Sequence, residues 1–442
     1  MTNELEALTN IVQCFLDARG VCHSEEKVRA RVVYLFCRFV KNQKLFLGPH
    51  VGNILARLTP LLGVGPDQQQ MLNSDEQAFI YESTAFLIVN GVLSVVDKER
   101  YMKELASTLV TKFSTTIADI QETPLSDSER LTFLFTQVNN TIGYSSRITK
   151  AFSHQQSMNS CNCTEAFVYL MTIYLNSLTV DNADIFLDSL RQYLHRMVIC
   201  LDDQLLPIIH EIFTKFIMVI RSVKAMSDFL ILAQQIFAKY KQKIVTVGID
   251  MISLLQLMLH LLDSQPDPND EVETRNLFYY KRGYLQFCHA MVSNKVLELI
   301  ANEGVEYLQV FVDSLYRSAL YPDIVQQKVA VSVLVKIVQL YGNDESIIEH
   351  IWYKTLQTVI KIPICATFDA GLPASSLLLH EVVILLQGLR ALIPEKFDQY
   401  LPSLVPEECA TLISQYLGSL KGKDLDMHLD QLFTKVRLDF DF

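Results

Sequence analysis

The chain is short of the residues that interrupt regular structure: its 442 residues include only 15 Gly and 13 Pro. With half of the residues hydrophobic, that scarcity excludes a collagen-like or disordered chain. Cysteine supplies no framework either. Nine of them, an odd number, lie scattered through helical patterns, which points to reduced thiols and an intracellular setting. The first ten residues lack the basic and apolar regions of a signal peptide. The most membrane-like stretch, Ile244–Leu262, is interrupted by Asp250, Gln256 and His260, so it reads as an amphipathic element and no membrane insertion is expected.

A basic excess is also missing. The formal net charge is −11, which taken globally argues against a phosphate-rich partner. Catalytic signatures are absent too: there is no GxxxxGK[ST], HExxH or GxSxG, and carboxylates are dispersed along helix faces. No enzyme and no cofactor are expected. Cys161-Asn-Cys163 with His154 upstream lacks a second Cys/His pair at usable spacing, so no metal site is expected there.

What the chain does have is helical periodicity. Apolar residues recur at i, i+3, i+4 and i+7 in segments that run from Leu5–Leu16 to Leu425–Val436. Short breakers separate them, among them Leu206-Pro207, Tyr321-Pro322-Asp323, Gly342-Asn343-Asp344 and Ile393-Pro394. Roughly 20 helices, or about ten pairs of ~40 residues, predict an all-α solenoid of HEAT-type repeats. We read residues 1–442 as one continuous array, with longer polar loops at Gly63–Asp75, Asn139–Thr164 and Asp263–Thr274.

Charge is uneven along this array. Between His23 and Arg57 there are seven Lys or Arg against two Glu, so the acidic excess lies wholly elsewhere. At 100° per residue, Lys27, Arg31, Arg38 and Lys41 fall on one side of a helix, beside an expected buried stripe of Val28, Val32, Leu35, Phe36 and Phe39. Arg29 projects beyond the far side of that stripe. Such a column suits phosphate, and equally describes a solvated face with ordinary ion pairs. Two smaller groups share the pattern: Arg147 with Lys150 among hydroxyls, which can hold sugar and phosphate oxygens, and Arg191 with His195 on one helix face. Their plainer readings are a capped helix and a polar surface contact.

These same residues carry a resemblance. Phe15-Leu-Asp-Ala-Arg-Gly20, Lys27-Val-Arg-Ala-Arg31 and Tyr34-Leu-Phe-Cys-Arg-Phe-Val-Lys41 resemble the middle of the exportin-T family. So do Leu72-Asn-Ser-Asp-Glu-Gln-Ala-Phe-Ile-Tyr-Glu82, Ser146-Arg-Ile-Thr-Lys-Ala-Phe-Ser153 and Leu194-His-Arg-Met-Val-Ile-Cys-Leu201. The resemblance implies a HEAT-repeat karyopherin that carries tRNA out of the nucleus with Ran-GTP, contacts nuclear pore proteins and shuttles between nucleus and cytoplasm. It also implies that Lys27, Arg29, Arg31, Arg38, Lys41, Arg147, Lys150, Arg191 and His195 are candidates for RNA contact. The family's N-terminal half, where the main Ran site is expected, has no counterpart here. The alternative is a HEAT scaffold that binds proteins.

Overall fold

The computed structural model describes residues 2–43, 46–62, 72–267, 269–365, 368–369 and 371–439. Among these residues every regular element is helical, with 21 α-helices joined by short turns and 3-10 segments. The chain forms two compact units, Met1–Ile220 and Arg221–Phe442.

The first unit contains α1 (Thr2–Leu16), α2 (Glu26–Gln43), α3 (Val51–Leu58), α4 (Ser74–Asn90), α5 (Val95–Glu122), α6 (Ser128–Thr149), α7 (Gln155–Asn159), α8 (Thr164–Ser177), α9 (Ala183–Cys200) and α10 (Leu206–Val219). Helices α2, α4, α6 and α9 pack side by side as one row, backed by a second row that includes α5, α8 and α10. The second unit contains α11 (Val223–Tyr240), α12 (Met251–Leu262), α13 (Glu271–Ser293), α14 (Glu298–Ala301), α15 (Val305–Ala319), α16 (Ile324–Tyr341), α17 (Glu345–Ile364), α18 (Pro373–Leu392), α19 (Pro394–Tyr400), α20 (Glu407–Ser419) and α21 (Gly422–Asp439). It repeats the plan, with α11, α13, α16 and α18 in one row and α12, α15, α17 and α21 in the other. This is the all-α helical-repeat architecture that the periodicity predicts.

The breakers act as their chemistry requires. Asp323 accepts the Val325 and Gln326 N–H groups at the start of α16, and Asp344 accepts that of Ser346 in α17. Pro207 and Pro394 occupy first turns, where a missing N–H costs nothing. Gly20 closes the turn after α1: a Cβ there would lie 2.0 Å from the Phe15 carbonyl oxygen, which explains a glycine in that motif.

Three expectations change. In α2 the buried residues are Arg29, Val33, Phe36, Cys37 and Val40, while Val28 and Leu35 are exposed. The helix packs chiefly against α4 instead of α1, which rotates its buried side by about one position. Asn139–Thr164 is no extended loop, because α6 runs through Thr149. The hydroxyls of Thr141 and Ser145 are buried and donate to the carbonyls of Gln137 and Thr141, and Thr149 donates to Ser146. The polar stretch from Asp263 ends earlier than expected, since Asp270 caps α13. Residues 63–71 of the remaining stretch lie outside the described residues.

Helices α16 and α18 are long and apolar enough to cross a membrane by length and composition alone. They pack on one another and into both rows of the second unit, and this packing accounts for their apolar character.

Candidate nucleic-acid interface

All nine candidate side chains fall on the α2–α4–α6–α9 row, and its local geometry begins with α2. Its core-facing side is set by Val33, Phe36, Cys37 and Val40, so Lys27, Arg31 and Arg38 turn to the opposite, exposed side. Tyr34 stands among them, with the Arg31 and Arg38 guanidinium carbons 5.6 and 5.9 Å from its ring centre. Arg38 Nη1 also donates to the Tyr34 hydroxyl at 3.4 Å. The Tyr34 ring meets Phe79 of α4 edge-on at 5.6 Å, and Arg147 of α6 lies over the same Phe79 at 5.4 Å. Cations and rings thus alternate across three helices.

The centre of this surface is a residue the sequence reading did not single out, Glu82 of α4. Its side chain is only 2% exposed, yet three cations converge on it. Lys41 donates to Oε1, Arg147 Nη1 donates to Oε2 at 3.1 Å, and Lys150 Nζ lies 4.0 Å from Oε2. One buried carboxylate against three half-exposed cations leaves a local excess of two positive charges. Lys41 also sits 5.1 Å from the Phe86 ring. Burial pulls the pKa of Lys150 down, as do the charges of Arg147, Lys41 and Arg196, against the opposing effect of Glu82. Lys150 is the C-cap of α6, where the helix dipole favours a cation.

Arg29 is placed differently from its neighbours. It is 8% exposed, and its Nε donates to Glu76 Oε2 at 3.1 Å while Nη1 donates to the His23 carbonyl at 3.0 Å. Glu76 simultaneously closes a capping box with Asn73 at the start of α4. Arg29 therefore ties α2 to α4 from inside, and its burial takes it off the surface where the expectation placed it.

Arg191 and His195 of α9 are half-buried neighbours, with Arg191 Nη1 3.3 Å from His195 Nε2 and Nη2 donating to Asp188 at 2.6 Å. The adjacent Arg196 donates to the carbonyls of Thr149 and Phe152 at 2.9 and 2.8 Å, docking α9 against the end of α6. Cys161 and Cys163 are buried in the turn before α8, where Asn162 adopts a φ of 46°. Among the described residues no group of three His, Cys, Asp or Glu side chains could hold a metal ion.

Comparison with known proteins places the chain in a family. The Exportin-T family model matches residues 2–427. Exportin-T of Mus musculus is 29% identical over 437 residues, covering 96% of this chain and 45% of the relative. Exportin-T of Pongo abelii is 30% identical with the same coverage, and that of Danio rerio is 28% identical over 98% of this chain and 46% of its own. The chain spans just under half the length of these relatives. A match along nearly the whole chain, over a helical-repeat fold, establishes that it belongs to the Exportin-T family.

Proposed function

We propose that this chain forms the cargo-holding part of a tRNA export receptor, and that the α2–α4–α6–α9 row contacts the RNA backbone. The observation that carries the reading is the cation surface of Lys27, Arg31, Arg38, Lys41, Arg147 and Lys150, which is local, ringed by aromatics and set in a chain of net charge −11. A-form RNA presents phosphates and 2′-hydroxyls over a broad contour, and a row of cations on successive helices suits that contour without reading bases. Arg191 and His195 extend the row on α9, while Arg29 supports it from beneath. In this reading tRNA is bound together with Ran-GTP, whose main contacts belong to the part of the relatives this chain does not span, and the receptor shuttles through the nuclear pore.

The test is a tRNA titration at several salt concentrations, with and without Ran-GTP. Wild-type chain is expected to bind with a strong salt dependence, and Arg31→Glu with Arg38→Glu to weaken binding by about 10- to 100-fold and flatten the salt slope by about two. Unchanged affinity and slope in the folded double variant remove α2 from the interface. Binding that ignores both salt and these cations favours the protein-scaffold reading.

A further inference from the structure

We propose that Lys41, Arg147 and Lys150 form one discrete phosphodiester subsite and that Glu82 is its positioning residue. The inference rests on the RNA-binding reading above. It addresses a feature that reading leaves unexplained, a carboxylate buried in the middle of a surface meant for anions.

A negative charge beside a phosphate opposes binding, so Glu82 needs a compensating role. Its 2% exposure keeps it behind the cations, whose side chains are 36%, 37% and 46% exposed and face the solvent from in front of it. Each cation leaves donors for a ligand. A single Arg147 nitrogen bonds Glu82, and a guanidinium has five N–H groups. The Phe79 and Phe86 rings flank Arg147 and Lys41, at 5.4 and 5.1 Å, and restrict the same side chains. The carboxylate thereby draws two helices' cations into one cluster before any ligand arrives.

Magnitudes decide the sign. Removing a unit charge about 7 Å from a bound phosphate, at an effective dielectric of about 20 and physiological screening, strengthens binding by about five-fold. Releasing a long side chain that binding must then re-order weakens it by about two- to ten-fold each, and Glu82 hydrogen-bonds two of them, Lys41 and Arg147, with Lys150 4.0 Å away. At about five-fold each the two releases outweigh the charge, so loss of the carboxylate is expected to weaken RNA binding despite making the surface more positive.

The experiment measures tRNA affinity and salt slope for wild type, Glu82→Gln and Glu82→Asp, with folding checked by circular dichroism. The expected result is a loss of about five-fold or more for Glu82→Gln and partial recovery in Glu82→Asp, which keeps the charge one methylene shorter. Tighter or unchanged binding by folded Glu82→Gln overturns the subsite; if Arg31→Glu with Arg38→Glu still weakens binding, the wider interface stands. Absence of salt-sensitive binding by wild type overturns both. A second measurement does not depend on the fate of Glu82→Gln: a cycle of Lys41→Met and Arg147→Met with Glu82 intact. Coupled cations predict that two single losses of about five-fold each combine to about ten-fold, and a combined loss near 25-fold shows independent side chains and overturns the proposal.

Discussion

The two units share a plan of paired helix rows but bury different chemistry in it. In the first, Arg29, Glu76 and Glu82 are buried, and the corresponding row displays cations and rings. In the second, the buried polar side chains among the described residues are neutral: Ser314, Gln326, Thr355, Thr358 and Ser375. They include hydroxyl pairs such as Tyr284 with Ser314 at 2.5 Å and Tyr316 with Thr355 at 2.8 Å. Its α11–α13–α16–α18 row also carries cation–ring pairs, Lys281 over Tyr321 at 4.6 Å and Arg282 over Phe278 at 4.3 Å, but no buried carboxylate among the described residues gathers them. A groove of about 710 Å³ in this row is lined in part by Gln234, Gln286, Val325, Lys328 and Leu377. Val325 and Leu377 are 47% and 55% exposed there. A buried ion pair often adds no stability over an apolar isostere, whereas a neutral hydroxyl pair costs little to desolvate. Packing alone thus accounts for the polar core of the second unit, while the charges of the first point to organised cations.

The largest break in this contrast is expected at Glu76. Glu76→Ala leaves Arg29 buried without its carboxylate and opens the α4 capping box, costing about 3–5 kcal/mol. Ser314→Ala in the second unit is expected to cost about 1 kcal/mol. Denaturant melts rank the two, and hydrogen exchange should show the first loss in α2 and α4. Equal costs would erase the distinction.

A second expectation concerns RNA. Lys328→Glu with Lys336→Glu on α16 should change tRNA affinity by less than about three-fold, against the much larger loss for reversal of Arg31 and Arg38. Affinities measured side by side at one salt concentration check it. Comparable losses would mean the second row shares the RNA.

A third expectation concerns Lys112 of α5. Its ammonium donates to Gln77 Oε1 at 2.9 Å and lies 5.4 and 5.7 Å from the stacked Tyr81 and Tyr144 rings, and burial pulls its pKa down to about 8. Below pH 8 the folded state carries the charge at a cost. Between pH 8 and the ordinary lysine value the unfolded chain holds the proton that the folded chain has released, so stability rises with pH. Lys112→Met should remove this rise, on the order of 1–2 kcal/mol, in melts compared at pH 7.5 and 10.

Much of the fold is legible in the sequence, because α9, α16 and α18 carry clear apolar periodicity and Asp, Pro and Gly mark their ends. Helices α6, α13 and α17 are harder to read. Buried Thr141, Ser145 and Thr149 in α6, and Thr355 in α17, look like solvent-facing residues until their hydroxyls find carbonyl or tyrosine partners. The exposed cations of α2 are legible by helical projection alone. Arg29 is not, since its partner Glu76 lies 47 residues away. Glu82 escapes for the same reason, with Lys41 and Arg147 at 41 and 65 residues' separation. The available signal is local: a lone carboxylate inside the apolar run Ile80-Tyr-Glu-Ser-Thr-Ala-Phe-Leu-Ile88.

The central claim, that the cation row of the first unit holds RNA backbone, is tested most directly by photo-crosslinking 4-thiouridine-substituted tRNA to the chain and mapping the linked peptides by mass spectrometry. Crosslinks concentrated in α2, the end of α6 and α9, and lost at high salt, are the predicted result. Crosslinks confined to α13, α16 and α18, or insensitive to salt, would contradict it.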